Sequence, residues 1–255
     1  MGLQFITGLI LSAGIGLSLG LIGGGGSIIT VPVLVYTLNV EAHEAVGMSL
    51  AVVGATSLVG AFLHWRRGSF QLKTGLLFGA AGIFGALAGS PLTHLLSPAE
   101  LLLTFAGLML VVAILMLRKK PVVEIENVSG NLPNLWKALA AGFGVGVLTG
   151  FLGVGGGFLI VPALIMFGGL SMKESIGTSL LVIFLNCVAG LAGHASQSHF
   201  DWSLTGLVTI LAVSGTIAGA LLSHRLAAQR LQKVFSVFVF AVALFLIAKN
   251  YTVLL

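Results

Sequence analysis

The stretch Gly20–Pro32, with the sequence GLIGGGGSIITVP, decides the fold of this chain, because a similar stretch follows 130 residues later. The second copy is GFLGVGGGFLIVP at Gly150–Pro162. The same offset pairs further residues on either side: Glu44 with Glu174, Ser49 with Ser179, His64 with His194, Gly89 with Gly219, and His94 with His224. Matched proline, histidine and glutamate are hard to obtain by chance in an apolar chain. The sequence is therefore a duplication.

The composition places both copies in a membrane. The chain has 255 residues, of which 57% are hydrophobic and only 7% are charged. A soluble domain carries about 25% charged residues. Long uncharged runs of about 20 residues are typical of membrane-spanning helices, and their continuous apolar character excludes alternating barrel strands. The basic residues lie at the edges of these runs, where they set orientation, so the net charge of +5 does not indicate nucleic-acid binding.

Each half of the duplication has the same plan. We predict a first membrane repeat at 1–119, a polar linker at 120–134 and a second repeat at 135–255. Each repeat begins with a glycine-interrupted segment, at 3–38 or 135–168, which we take as mature structure rather than a signal peptide. Three uninterrupted spans follow in each: 43–64, 72–95 and 98–118, then 173–194, 202–224 and 228–249.

The predicted fold class is an all-α polytopic membrane protein. Each of its two homologous halves has one glycine-broken re-entrant or discontinuous helix plus three transmembrane helices. Small residues spaced four apart predict close helix packing in lipid; they are Gly75 and Gly79, Gly85 and Gly89, and Gly215 and Gly219.

The basic residues favour inverted repeats. If each glycine-interrupted segment crosses the membrane once, the twelve Lys and Arg residues divide eight to four between the two sides. If each segment enters and returns to its own side, the division becomes eleven to one, which obeys the positive-inside rule better. Loop 65–73 is basic, whereas its counterpart 195–203 holds only Asp201. We therefore expect a cytoplasmic segment at 118–137 and both termini on the outer side.

The glycine runs are the predicted substrate site. Gly23–Gly26 and Gly153–Gly157 interrupt helical patterns, because each glycine destabilises a helix by about 1 kcal/mol relative to alanine. We expect short helices to begin at residues 27 and 158, with open N–H groups and a positive dipole end suited to an anion. Broken helices at matching points of two repeats are typical of transporter substrate sites. The alternative is that the glycines only allow tight packing. Pro32 and Pro162 are expected to kink or end the short helices.

Polar residues within the spans complete the predicted site. The candidate substrate-binding residues are Gly23, Gly24, Gly25, Gly26, Ser27, Gly153, Gly155, Gly156, Gly157, Ser49, Thr56, Thr178, Ser179 and Asn186. For the hydroxyl groups the alternative is that they bond carbonyl groups of their own helix.

Two histidines at span ends, His64 and His194, are candidates for proton coupling. The alternative is that they lie at the membrane interface, and His94 and His224 rank below them. Cys187 is the only cysteine, so the sequence excludes an internal disulfide and a multi-cysteine metal site. We expect no catalytic residue, metal or cofactor.

The paired motifs resemble the TauE/SafE sulfite exporter family, also called DUF81 or TSUP. The residues that carry the resemblance are GLIGGGGSIITVPVL at 20–34, GFLGVGGGFLIVPAL at 150–164, EAVGMSL at 44–50 and ESIGTSL at 174–180. The resemblance covers nearly the whole chain. It implies a secondary transporter in the bacterial inner membrane that exports sulfite, an organosulfonate or a related sulfur oxyanion. Because Gly24 matches Val154 and Ser27 matches Gly157, the two half-sites are not equivalent.

The predicted function is export of a small sulfur-containing anion, with proton coupling as one mode. The expected partners are this anion and the lipid bilayer, with no nucleic acid, and the sequence is compatible with a homodimer. A passive anion channel is the first alternative. An intramembrane hydrolase using Ser27 is a weaker one, because no G-x-S-x-G motif surrounds that serine.

Overall fold

The described part of the chain is entirely helical. The structure is a computed structural model that describes residues 2–89, 98–118, 135–152, 157–194 and 201–250. These residues form ten helices and no strand: α1 (Gly2–Ile22), α2 (Gly25–Leu38), α3 (Ala42–Arg66), α4 (Leu72–Gly89), α5 (Pro98–Arg118), α6 (Leu135–Leu152), α7 (Gly157–Met166), α8 (Met172–His194), α9 (Trp202–Arg225) and α10 (Ala228–Asn250). Five of them, α3, α4, α8, α9 and α10, contain segments long and apolar enough to cross a membrane. The chain is a multi-pass membrane protein, as predicted.

The outer surface of the bundle is apolar. Large side chains such as Ile10, Phe84 and Ile210 are more than half exposed, which suits contact with lipid rather than water. Trp65, Trp136 and Trp202 lie exposed at helix ends, where tryptophan is enriched at membrane interfaces.

The first glycine run interrupts the helix over fewer residues than predicted. Only Gly23 and Gly24 lie outside a helix, and Gly23 has a positive φ of 78° that favours glycine. α2 begins at Gly25, not at residue 27, because Gly25 and Gly26 adopt helical conformation. The predicted start of α7 at residue 158 is one residue late, since α7 begins at Gly157.

The two prolines do not end the short helices. Pro32 lies inside α2, which continues to Leu38, and Pro162 lies inside α7, which continues to Met166. A proline removes one backbone hydrogen bond, and close packing by neighbouring helices allows a membrane helix to continue past it. Every residue of α7 from Gly157 to Ile165 is buried in this way.

Each repeat packs its first helix onto the fourth helix of the other repeat. α1 packs most extensively on α9, and α6 on α4. The two contacts use equivalent residues. A methyl group at Gly85 would collide with the carbonyl oxygen of Phe143, and a methyl group at Gly215 would collide with that of Ala13. Glycine therefore permits close backbone approach at matching points of both interfaces, as the sequence predicted.

The glycine contacts predict which small substitutions destabilise the bundle. A methyl group at Gly16 would collide with the backbone of Ala212, whereas nothing lies within 4 Å of the same position on Gly14. Gly16→Ala should therefore destabilise the fold by about 1–3 kcal/mol through overpacking. Gly14→Ala, in the same helix, should be neutral or stabilise by up to about 1 kcal/mol. Thermal unfolding in detergent measures both, and equal melting temperatures would contradict the packing model.

Candidate functional site

The N-termini of the two short helices meet. A methyl group at Gly24, just before α2, would collide with the carbonyl oxygen of Gly157 at the start of α7. A methyl group at Gly157 would lie 2.7 Å from the Ser27 hydroxyl and 3.0 Å from the Ile183 side chain. Two elements that are 130 residues apart in sequence thus share one buried position. The contact brings together three predicted site residues, Gly24, Ser27 and Gly157.

A serine of the second repeat forms a hydrogen bond with the non-helical backbone at Gly23. The Ser179 hydroxyl in α8 donates a hydrogen bond to the Gly23 carbonyl at 2.7 Å. The same hydroxyl lies 2.8 Å from the carbonyl of Ile176 in its own helix. A buried carbonyl without a partner is costly, so Ser179 stabilises the non-helical backbone.

The N-terminus of α2 has no side-chain cap. The first N–H groups of a helix have no partner within it, and Gly24 at the N-cap has no side chain to bond them. The Ser18 hydroxyl of α1 lies 2.6 Å from where a methyl group on Gly25 would be. Ser18 is 9% exposed, and its hydroxyl has no hydrogen-bond partner in the described residues. It is a further polar group at this site.

No sequence pattern indicated Ser18. Its equivalent in the second repeat is Leu148, so a search for polar residues matched in both halves passes over it. Only the antiparallel packing of α1 against α2, which brings Ser18 to Gly25, makes it a candidate.

The remaining hydroxyl candidates bond within helices or at a helix end. Thr56 donates to the carbonyl groups of Val52 and Val53, and Ser49 donates to that of Val46. These are bonds within one helix, the alternative that the sequence left open. The Thr178 hydroxyl accepts from the backbone N–H of Gln71, at the start of α4.

The amide of Asn186 is different. Its Oδ1 atom is buried and has no partner within the described part of the chain. Asn186 precedes Cys187, which faces Gly54 where α3 and α8 cross: a methyl group at Gly54 would lie 3.2 Å from the Cys187 Cβ. The candidates Gly153, Gly155 and Gly156 lie outside the described residues.

His64 lies inside the protein. Its side chain is 1% exposed, and its Nε2 atom lies 3.3 Å from the carbonyl oxygen of Gly20. Its ring packs against that of His224, with 4.9 Å between the centroids. The ring is therefore enclosed by α1 and α9 at this end of α3, whereas the neighbouring Trp65 is exposed. The His194 side chain lies outside the described residues.

A helical bundle in which the N-termini of two short helices meet is typical of multi-pass membrane transporters. The model of the sulfite exporter TauE/SafE family matches residues 8–246, and the chain belongs to this family. A probable membrane transporter protein of Xylella fastidiosa strain 9a5c is 34% identical over 241 residues, covering 93% of this chain and 92% of the relative. The probable membrane transporter protein YdhB of Bacillus subtilis strain 168 is 32% identical over 213 residues, covering 81% of this chain and 85% of YdhB.

The bond across the repeats predicts the effect of removing the Ser179 hydroxyl. Ser179→Ala leaves the buried Gly23 carbonyl without this donor and should destabilise the protein by about 1–3 kcal/mol. Ser236→Ala is the matched control, because the equally buried Ser236 hydroxyl bonds only Gln232 within α10. Thermal unfolding in detergent should show a larger loss for Ser179→Ala, and the opposite order would rule out a support role for this serine.

Proposed function

We propose that this chain is a secondary transporter that exports a small sulfur-containing anion, such as sulfite or an organosulfonate, from the bacterial cytoplasm. The observation that carries the proposal is the meeting of Gly24 with Gly157 at the N-termini of α2 and α7. Helix N-termini attract anions through unpaired N–H groups and the helix dipole. The name of the sulfite exporter TauE/SafE family supports both the substrate class and the direction of transport.

The depth of this contact supports a central binding site. Gly157 packs against Ile183, which is the middle residue of α8. A site at the middle of a membrane-spanning helix is equally far from both surfaces. This is where transporters with broken helices bind their substrates.

The proposed ligands are neutral donors. The N–H groups at the start of α2 point toward the site, and the Ser18 hydroxyl, the Ser27 hydroxyl and the Asn186 amide are side-chain candidates. The Ser27 hydroxyl donates to the Gly24 carbonyl at 2.8 Å, so it must rotate to bond an anion. That partner is a carbonyl and not a base, which does not favour the hydrolase alternative.

Contacts between helices support inverted repeats with re-entrant hairpins. Gly8 of α1 lies against Leu38 of α2, and Ser18 lies against Gly25, so α2 runs back along α1. Gly54 lies against Cys187 and Gly60 against Leu180, so α3 and α8 are antiparallel although they occupy equivalent places in the two repeats.

The packing of the first helix of each repeat also supports inverted repeats. α1 runs parallel to α9, with Ala13 near Gly215 and Leu17 near Gly219, and α6 runs parallel to α4 in the equivalent way. Since α4 and α9 follow the antiparallel helices α3 and α8, these contacts support opposite directions for the two repeats. In this topology segment 118–137 is cytoplasmic and the termini lie outside.

The charges at the two ends of the proposed transport pathway, which we call its mouths, support export. Where α3 ends and α4 begins, the chain carries Arg66, Arg67 and Lys73, and their equivalents in the other repeat are Ser196, Gln197 and Ser203. At the start of α9 the backbone N–H of Asp201 bonds a Glu44 carboxylate oxygen at 3.0 Å, so that mouth is acidic. A basic cytoplasmic mouth concentrates anions on the side from which they would be exported.

Two parts of the earlier prediction stay predictions. These are proton coupling through His64 and His194, and assembly as a homodimer in the bacterial inner membrane.

Transport by purified protein in liposomes tests the function. Efflux of radiolabelled sulfite should saturate, and unlabelled sulfite on the opposite side should accelerate it. Gly24→Ala, which would collide with Gly157, should reduce transport at least about tenfold by closing the site. Gly206→Ala in α9 is the control, since nothing lies within 4 Å of its added methyl group.

A second variant guards against misfolding of Gly24→Ala. Asn186→Leu keeps the side-chain size but removes the amide, so it should lower the sulfite affinity while the melting temperature is kept. Flux that rises linearly with sulfite concentration and shows no acceleration by sulfite on the opposite side would overturn the carrier and favour a channel.

Cysteine labelling tests the topology. In a Cys187→Ala background, cysteines at the equivalent exposed positions Lys73 and Ser203 should lie on opposite sides of the membrane. A membrane-impermeant maleimide should label Ser203→Cys in right-side-out vesicles and Lys73→Cys only after permeabilisation. Labelling of both from one side would contradict the inverted arrangement.

A further inference from the structure

We propose that His64, His224 and Arg67 form a second anion-binding site, on the basic side of the protein, which takes up a proton together with its anion. The site is distinct from the contact between Gly24 and Gly157. The inference rests on the proposed function in one respect only, which is that the bound ion is a small sulfur-containing anion.

The two histidine rings leave unused nitrogen atoms facing the protein interior. Nδ1 of His64 and Nε2 of His224 are both buried and have no hydrogen-bond partner in the part of the chain that the structure describes. The rings come from different repeats, His64 from α3 and His224 from α9. Buried polar atoms of this kind need a partner, and a bound ligand supplies one.

The hydrogen bond to Gly20 links anion binding to a proton. Because a carbonyl oxygen only accepts, its contact with Nε2 places a hydrogen on that atom of His64. In a neutral ring Nδ1 then carries a lone pair, which repels an anion. Protonation turns Nδ1 into an N–H donor, so His64 can bind an anion only after taking up a proton.

The surrounding charges make the linkage reciprocal. The positive charges of Arg67 and Lys173 oppose a proton on His224, and those of Arg67 and His224 oppose one on His64. The carboxylate of Glu174, on the face of α8 that carries Gly177 against His64, accepts hydrogen bonds from the Gln71 amide and the Ser171 backbone N–H. The Arg67 guanidinium lies over the end of α9, 3.5 Å from the Ala220 carbonyl oxygen. A proton on the pair therefore adds positive charge to a positive site. A bound anion removes this repulsion, so anion and proton each strengthen the binding of the other.

The position of the pair connects it to the glycine break. Gly20, which bonds His64, precedes Gly23 by three residues, or about one helical turn of about 5 Å. The Arg67 side chain is exposed, whereas His64 is fully buried. An anion moving inward from Arg67 would reach the histidine pair before it reaches the break.

The equivalent histidines in the sequence lack the neighbouring fixed charges. The residues equivalent to His64 and His224 are His194 and His94, whereas those equivalent to Arg67 and Lys173 are Gln197 and His43. Arginine and lysine accompany the histidines only on the basic side. This asymmetry assigns the anion site to that side.

Calorimetric titration with sulfate tests the proposal. Sulfate stays doubly charged where histidine titrates, between about pH 5 and pH 8, so any proton taken up enters the protein. Titrations of wild type in two buffers with different ionisation enthalpies should show proton uptake on binding, and the affinity should rise as the pH falls. His64→Gln and His224→Gln should each abolish the uptake, and Arg67→Gln should weaken the sulfate affinity about tenfold.

Matched variants show whether the proton uptake belongs to this site or to other residues. His43→Gln at the other end of α3 and Arg66→Gln, whose guanidinium lies 5.9 Å from the Phe62 ring centroid, should behave as wild type. Gly24→Ala should keep the proton-linked binding. If His64→Gln does not fold, His224→Gln alone tests the proposal, because the His224 side chain is only partly buried.

The outcomes distinguish this inference from the proposed function. Sulfate binding to wild type without proton uptake, or uptake that persists in both histidine variants, would overturn the second site and leave the transporter intact. Failure of wild type to bind sulfate, sulfite and thiosulfate would overturn both.

Discussion

Backbone groups that a glycine break leaves unpaired cannot face lipid, and this constraint governs the rest of the structure. At Gly23 the chain leaves helical conformation, and the freed carbonyl is bonded by Ser179 from the opposite repeat. Gly24 lies against Gly157, again across the repeats. The break is therefore stable only because the two halves enclose each other.

The same enclosure explains why small residues recur at the interfaces. α1 must approach α9 closely to hold the first break inside the bundle, and α6 must approach α4 in the same way. Equivalent glycines provide both approaches, as Gly85 and Gly215 show. The scaffold is thus nearly symmetric, while the charges at its two mouths are not. In the proposed transporter the symmetric scaffold allows the substrate site to be reached from either side of the membrane. The different charges of the two mouths distinguish one side from the other.

The sequence predicted those features of the fold that depend on the spacing of residues along the chain. The helical class, five of the six predicted uninterrupted spans and the close glycine contacts follow from spacing and composition alone. The exact break did not follow, because it depends on which glycine adopts a positive φ, and that is Gly23. Ser18 was also missed as a candidate, and His224 was ranked below His64 and His194. Their importance comes from contacts between α1 and α2 and between α3 and α9, which no linear pattern reveals.

The distribution of charge fits the movement of an anion. None of the predicted ligands at the glycine break is charged, and the arginines and lysines lie at helix ends. A fixed charge inside the membrane is costly to bury, and it would also hold an anion too firmly for release. Neutral donors avoid both problems, but they attract an anion only weakly over distance. In the proposed transporter, fixed cations at the basic mouth supply that attraction, and the proposed site at His64 and His224 adds charge for as long as an anion is bound. This arrangement keeps permanent charge at the surface and uses temporary charge one helical turn further in.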